Sequence, residues 1–152
     1  MKEIYLKLWE IAKPYYEKGR PMDIDHVGWM MDAAEKVCEK EGIDDSLLIP
    51  LVILHDVGYA ESGPAYFDRE EKKAHMISGE KIARDLLNDV DYPSDKIDKI
   101  CSMILVHDNW ILDDHSVYDD PILGVFTDLD YMWMATPKGF NALMKILDND
   151  EK

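Results

Sequence analysis

The stretch on which the fold reading turns is Leu51-Val52-Ile53-Leu54-His55-Asp56-Val57-Gly58-Tyr59. Four apolar residues run directly into an adjacent imidazole and carboxylate, and a glycine follows two positions later. The run is too short to cross a membrane, so it belongs to a buried helix or strand. Buried charge is costly unless it is paired or bound to a metal. Gly58 suits a helix that stops in the left-handed conformation, which would leave His55 and Asp56 on its last turn.

Working outward, the periodicity predicts helices on both sides. A first helix runs from about Lys2 to Lys18, with Ile4, Leu8, Ile11 and Tyr15 in register and Gly19 as its stop; Pro14 is expected to disturb its last turn. Asp23 or Asp25 then caps a second, on which His26, Met30, Ala33 and Val37 share a face and Gly42 ends the run. The third starts near Asp44-Asp45-Ser46, has Pro50 in or near its opening turn, and ends at His55-Asp56. Residues Ala60 to Phe67 read as the longest loop. Asp68 with Glu71 resembles a capping pair for a fourth helix, where His75, Gly79, Ile82 and Leu86 align. Pro93-Ser94 opens a fifth, carrying Ile97, Ile100, Ile104 and His107 at spacings of three and four. After a polar loop from Asp108 to Tyr118, Asp120-Pro121 starts a sixth, with Leu123, Phe126, Asp130 and Trp133 on one face. Thr136-Pro137 repeats the start signal for a last helix bearing Phe140, Leu143, Met144 and Leu147. No segment alternates with period two, and no repeat or linker interrupts the chain. The expectation is an all-α, single-domain bundle of about six or seven helices over residues 1–152.

Composition narrows the partners. The 152 residues include 32 acidic and 17 basic side chains, a net charge of −15. Such a surface repels a nucleic-acid backbone and an anionic membrane, since both are recognised through Lys and Arg. A small anionic substrate stays compatible, because a bound metal supplies positive charge locally. Cys38 and Cys101 lie among apolar residues and read as reduced core thiols. The N-terminus has no signal-peptide core, so a cytoplasmic location is expected.

The five histidines carry the functional reading. His26, His55, His75 and His107 fall on the apolar faces of four successive helices, and Asp130 on that of the next. Separate burial would demand many separate partners, whereas one shared metal centre satisfies them together. Neutral imidazole and carboxylate suit Mn, Fe, Co, Ni or Zn, with Mg also admissible. Bundles build such centres from inward-facing side chains of different helices. His115 sits in an acidic loop and is left out.

The order His26, His55-Asp56, Asp130 resembles the H…HD…D signature of the HD-domain superfamily of metal-dependent phosphohydrolases. Asp23-Ile24-Asp25-His26-Val27 is similar to its first motif, and Leu54-His55-Asp56-Val57-Gly58-Tyr59 to its second. His75-Met76-Ile77-Ser78-Gly79-Glu80-Lys81-Ile82-Ala83 is similar to the helix that bears an extra histidine in two-metal members. Asp128-Leu129-Asp130 resembles the last motif, whose second aspartate is the ligand. The resemblance spans roughly Arg20 to Trp133; His107-Asp108 is read as a chance second copy of the dipeptide.

That resemblance implies a pair of ions bridged by Asp56, with His26, His55 and Asp130 on one and His75 and His107 on the other. A hydroxide between two such ions is a nucleophile at neutral pH. Some single-metal nucleotidases of the superfamily place a glutamate where this chain has Tyr59, and the departure favours a metal-borne nucleophile. The implied activity is hydrolysis of a small phosphate ester, a nucleotide or related monoester or diester, with Asp56 catalytic. Lys72, Arg69 and Lys73 are the candidate phosphate-binding residues, and Arg20 a weaker one. Di-iron oxygenases of the superfamily use the same ligand set, and a non-catalytic metal-containing binding module is the further alternative. Gly79 either leaves room for a ligand or permits close helix packing.

Overall fold

The computed structural model describes residues 1–63 and 68–150, and every regular element among them is helical. The order is α1 (Glu3–Lys18), α2 (Asp23–Glu41), α3 (Asp45–Leu54), α4 (Tyr59–Ser62, a single turn), α5 (Arg69–Asp89), α6 (Ser94–Ile104), α7 (Pro121–Trp133) and α8 (Pro137–Asp150). Two turns of 3₁₀ helix, Asn109–Leu112 and Ser116–Asp119, occupy the segment expected to be a loop. The protein is thus an all-α bundle. Residues 64–67 of the expected 60–67 loop lie outside the described residues, and its first part is helical as α4.

The bundle is built around α3. Its sequence is apolar on all sides, and every residue from Leu47 to Leu54 is buried, the pattern of a helix enclosed by others. It packs against α1, α2, α6 and α7. Asp44 caps its start by accepting from the Ser46 N–H at 3.0 Å. Pro50 lies in the helix interior rather than its first turn and cannot bond the Ser46 carbonyl, four residues back. Tyr92 from the α5–α6 connection donates its hydroxyl to that carbonyl at 2.8 Å, so the gap is filled.

The end of α3 is equally complete. The Leu51 carbonyl accepts the His55 N–H, the Val52 carbonyl pairs with His55 Nδ1, the Ile53 carbonyl accepts the Tyr16 hydroxyl, and the Leu54 carbonyl accepts the Val57 N–H. The last carbonyls of a helix normally lack partners; here they hold the helix end and His55 in place.

Several sequence expectations need correcting. Gly58 is not left-handed: its φ is −65°, and it precedes α4. Its role is space, because a Cβ there would lie 1.9 Å from the His75 carbonyl oxygen and 2.6 Å from the Gly79 nitrogen. At Gly79 an added Cβ would lie 3.4–3.6 Å from Ile104, Gly58 and His55, ordinary contact distances, so helices and not a ligand fill that side. The chain after His55-Asp56 therefore lies flush on α5. Pro14 does not disturb α1, since it sits on the exposed side where water can serve the carbonyl it leaves unbonded. Neither Asp23 nor Asp25 caps α2, whose cap position is Met22; Asp23 is buried against Arg20 instead. On α8, Phe140, Met144 and Leu147 are exposed rather than packed. That helix packs chiefly on the end of α7 and turns Ala142, Leu143 and Ile146 inward.

Candidate metal centre

Elements α2, α3, α5, α6 and α7 converge around Asp56. The carboxylate follows α3 directly, and its two oxygens face different histidines. Oδ2 lies 3.4 Å from His55 Nε2, while Oδ1 lies 3.3 Å from His75 Nε2 and 3.5 Å from His107 Nε2. Two sets of donor atoms form around it, each close enough to hold one ion: His26, His55 and Asp56, and Asp56, His75, His107 and Asp108. Asp130, on α7, reaches the first set through His26, whose Nε2 is 3.0 Å from its Oδ1. The structure therefore brings His26, His55, Asp56, His75, His107 and Asp130 together, with Asp56 common to both sets. His115 is exposed and lies apart, against Tyr118.

The rings are oriented by their own helices. His55 Nδ1 is 2.9 Å from the Val52 carbonyl and His107 Nδ1 is 2.8 Å from the Ile104 carbonyl, each three residues back. A carbonyl only accepts, so each Nδ1 carries a proton, which leaves each Nε2 facing the centre as the atom available to a metal. His55 Nε2 is buried with no hydrogen-bond partner among the described residues. His75 Nε2 and His107 Nε2 are 3.2 Å apart, with His75 Nδ1 unpartnered and the His75 ring stacked at 4.1 Å on Tyr59. Without an ion these Nε2 atoms share protons with one another and with Asp56, and a cation among them would take the place of those protons. The donors present thus fit a metal.

Charge follows the same logic. Burial alone would raise the Asp56 carboxyl, but the adjacent His55 and Arg20 charges outweigh it and hold it well below the usual range. Burial would likewise lower His55, yet the Asp56 carboxylate prevails and lifts it to about 9. A dication near His55 Nε2 would do the work of that proton. His75 is held below its ordinary value, chiefly by burial. Asp130 stays low because its hydrogen bond to His26 overcomes its desolvation.

The sequence reading missed Asp108. It is 4% exposed, belongs to the second donor set, and pairs with Lys72 Nζ at 2.6 Å through Oδ2. Its other oxygen accepts the Trp110 indole N–H at 2.9 Å. His107-Asp108 is no chance copy: like His55-Asp56 it follows a helix end, with the same bond from Nδ1 to the carbonyl three residues back. Four apolar residues running into His-Asp were the available signal, and they occur at both places.

The centre opens into a cavity of about 190 Å³. Lys72, which is buried, and Arg20, whose side chain is 10% exposed, line it, whereas Arg69 and Lys73 are exposed near the start of α5 and do not. Arg20 pairs with Asp23 at 2.8 Å and Asp56 at 3.5 Å, and its guanidinium lies over the Tyr59 ring at 4.2 Å. Lys72 keeps its proton because Asp108 more than offsets its burial. On the far side Trp133 stacks on His26, ring centroids 5.5 Å apart.

The model of the family described as HD domain matches residues 23–135, an interval that contains every residue of both donor sets and Asp130. No curated protein and no solved structure matches the chain. Among the described residues, no helix is long and apolar enough to cross a membrane.

Proposed function

The chain belongs to the HD-domain family, a superfamily of metal-dependent hydrolases, and from that premise we propose that it is a phosphohydrolase acting on a small phosphate ester with two divalent ions. The ligands in this reading are His26, His55 and Asp130 for one ion, His75 and His107 for the other, and Asp56 for both; Asp108 is a further donor beside the second. The observation that carries it is the division of the Asp56 oxygens between two histidine sets, beside a cavity walled by Arg20 and Lys72.

The balance of charge supports two ions. Asp23, Asp56, Asp108 and Asp130 supply four negative charges, against Arg20 and Lys72 as two positive ones, so with neutral imidazoles the centre stands at −2. A phosphate dianion would be repelled from it. One dication only brings the balance to zero, whereas two make it attractive. When bound, the ions supply a lowered pKa for water and charge stabilisation for a phosphoryl group in flight.

The chain's own residues do the rest. Asp56 fixes the separation of the two donor sets. Arg20 and Lys72 present fixed positive charge to the phosphoryl oxygens, and Tyr59 braces both Arg20 and the His75 ring. The reaction joins a water oxygen to phosphorus and breaks the bond from phosphorus to the ester oxygen, which leaves with a proton as an alcohol.

The test is a phosphatase and phosphodiesterase panel on protein loaded in turn with Mn, Fe, Co, Ni, Zn and Mg, alongside elemental analysis. Turnover of a phosphate ester that chelation abolishes is expected. No turnover with any metal, together with a mixed-valence iron signal in aerobically purified protein, would instead favour the oxygenase; tight ligand binding without turnover would favour the binding module.

A further inference from the structure

The cavity has two unlike walls. One is the charged centre itself. The other consists of Met22, Trp133, Met134, Ala142, Leu143 and Ile146, contributed by the start of α2, the end of α7 and the inner arc of α8. Gly139 and two further aromatic residues, Trp110 and Tyr131, complete the lining, and the Trp110 indole N–H is already given to Asp108 at 2.9 Å. The polar side-chain groups left to the outer wall among the described lining residues are the Tyr131 hydroxyl, on a side chain 45% exposed, and the Trp133 indole N–H. Every other polar side chain that faces the cavity belongs to the charged centre.

Sites that recognise sugars or polyols hold each hydroxyl with a donor or acceptor, because a substrate hydroxyl that loses water without replacement is strongly disfavoured. This wall offers no such set. It offers what an apolar group needs, namely desolvated carbon surface and aromatic faces. Resting on the phosphohydrolase reading above, we infer that the substrate is a phosphate ester of an apolar alcohol, aryl-alkyl or alkyl, whose phosphate meets Asp56, Arg20 and Lys72 while its hydroxyl-poor tail lies on Trp133, Leu143 and Ile146. Leu143 and Ile146 are then specificity residues: they stand one turn apart on α8 and carry no donor atom for a metal.

The experiment compares esters that share a primary-alkyl leaving group, so that rate differences report the tail and not the leaving oxygen. The full chain loaded with Mn²⁺ is assayed on 2-phenylethyl phosphate, ribose 5-phosphate, glucose 6-phosphate and adenosine 5′-monophosphate. The expected kcat/KM for 2-phenylethyl phosphate exceeds that for either sugar phosphate by at least about tenfold, the discrimination of a modest apolar contact, with the nucleotide between them. Leu143→Asn or Ile146→Asn is expected to narrow the gap about tenfold while ribose 5-phosphate turnover changes by less than about twofold. Equal or better turnover of the sugar phosphates overturns this inference and leaves the phosphohydrolase reading standing. If no ester is hydrolysed, that reading fails, and calorimetry decides the inference: phenylphosphonate binding about tenfold more tightly than glucose 6-phosphate sustains the apolar wall, and equal binding overturns it.

Discussion

Replacing Gly58 by Ala isolates the contact that joins the His55-Asp56 segment to α5. The backbone at Gly58 is ordinary, with φ −65°, so the substitution introduces no torsional strain. On conformational grounds alone Gly→Ala here would stabilise by about 0.4–1 kcal/mol, since alanine has fewer unfolded conformations to lose. The packing term opposes it. The new Cβ would stand 1.9 Å from the His75 carbonyl oxygen and 2.8 Å from its carbonyl carbon, both backbone atoms that cannot swing aside. Carbon–oxygen contacts rest at about 3.3–3.6 Å, so the two segments must part by well over 1 Å. Overpacking a core costs about 1–3 kcal/mol when side chains can adjust, and backbone adjusts less readily. We expect the clash to win, with net destabilisation of about 2–4 kcal/mol and a fall in Tm of roughly 5–15 °C for a chain of this size. The same parting carries His75 away from Asp56, and a misplacement of about 1 Å costs about a hundredfold in turnover. Thermal melts by circular dichroism, elemental analysis and the phosphatase assay would measure all three. Gly28→Ala is the control: nothing lies within 4 Å of its added Cβ, in the interior of α2. It should gain about 0.5–1 kcal/mol. If Gly58→Ala melts within about 1 °C of wild type and keeps its metal, the close-approach argument is wrong.

Three further outcomes follow from the centre. Asp56→Asn should reduce turnover at least about a hundredfold without unfolding the bundle, while His115→Ala stays near wild type; a normal rate for Asp56→Asn on an identified substrate would refute the shared carboxylate. His75→Ala or His107→Ala should lower metal content from about two ions per chain to about one, measured by elemental analysis, and a wild-type content of one that neither change affects would exclude the second ion. In metal-free protein, His55 is raised from 6.5 to about 9, so its stabilisation is complete below pH 6.5 and is lost as pH climbs through 9. The loss across that window is about 3 kcal/mol, read from denaturant titrations at successive pH values; a flat profile would show that His55 is not held by Asp56.

The sequence made the helices legible wherever a cap announced them. Asp68 accepts from the Glu71 N–H at 2.9 Å, Asp120 from the Ile122 N–H at 2.9 Å, and Thr136 Oγ1 from the Gly139 N–H at 3.1 Å, each at a start signal written in the chain. The histidines were legible for a related reason: an imidazole in an apolar stripe points where its helix face points. What stayed hidden depends on contacts between distant segments. Gly58 looks like a helix stop until α5 is set against it. Asp23 looks like a cap until Arg20 is found beside it. Asp108 looks like the first residue of a polar loop, although it repeats the step from helix to His-Asp that singled out Asp56. On α8 the periodicity correctly announced an amphipathic helix, but it could not say which arc meets α7 and the cavity, and Phe140, Met144 and Leu147 remain outside.

The stack of Trp133 on His26 gives the centre an optical handle. Indole emission responds to the charge and polarity against its ring, and this ring rests on an imidazole of the first donor set, with Trp29 a further 6.2 Å away. Trp110, through its N–H bond to Asp108, touches the second set in the same way. Each half of the centre thus carries its own chromophore, so a paramagnetic ion or a stacked ligand entering either half should be visible in native fluorescence without any label, and Trp133→Phe and Trp110→Phe would tell the two halves apart.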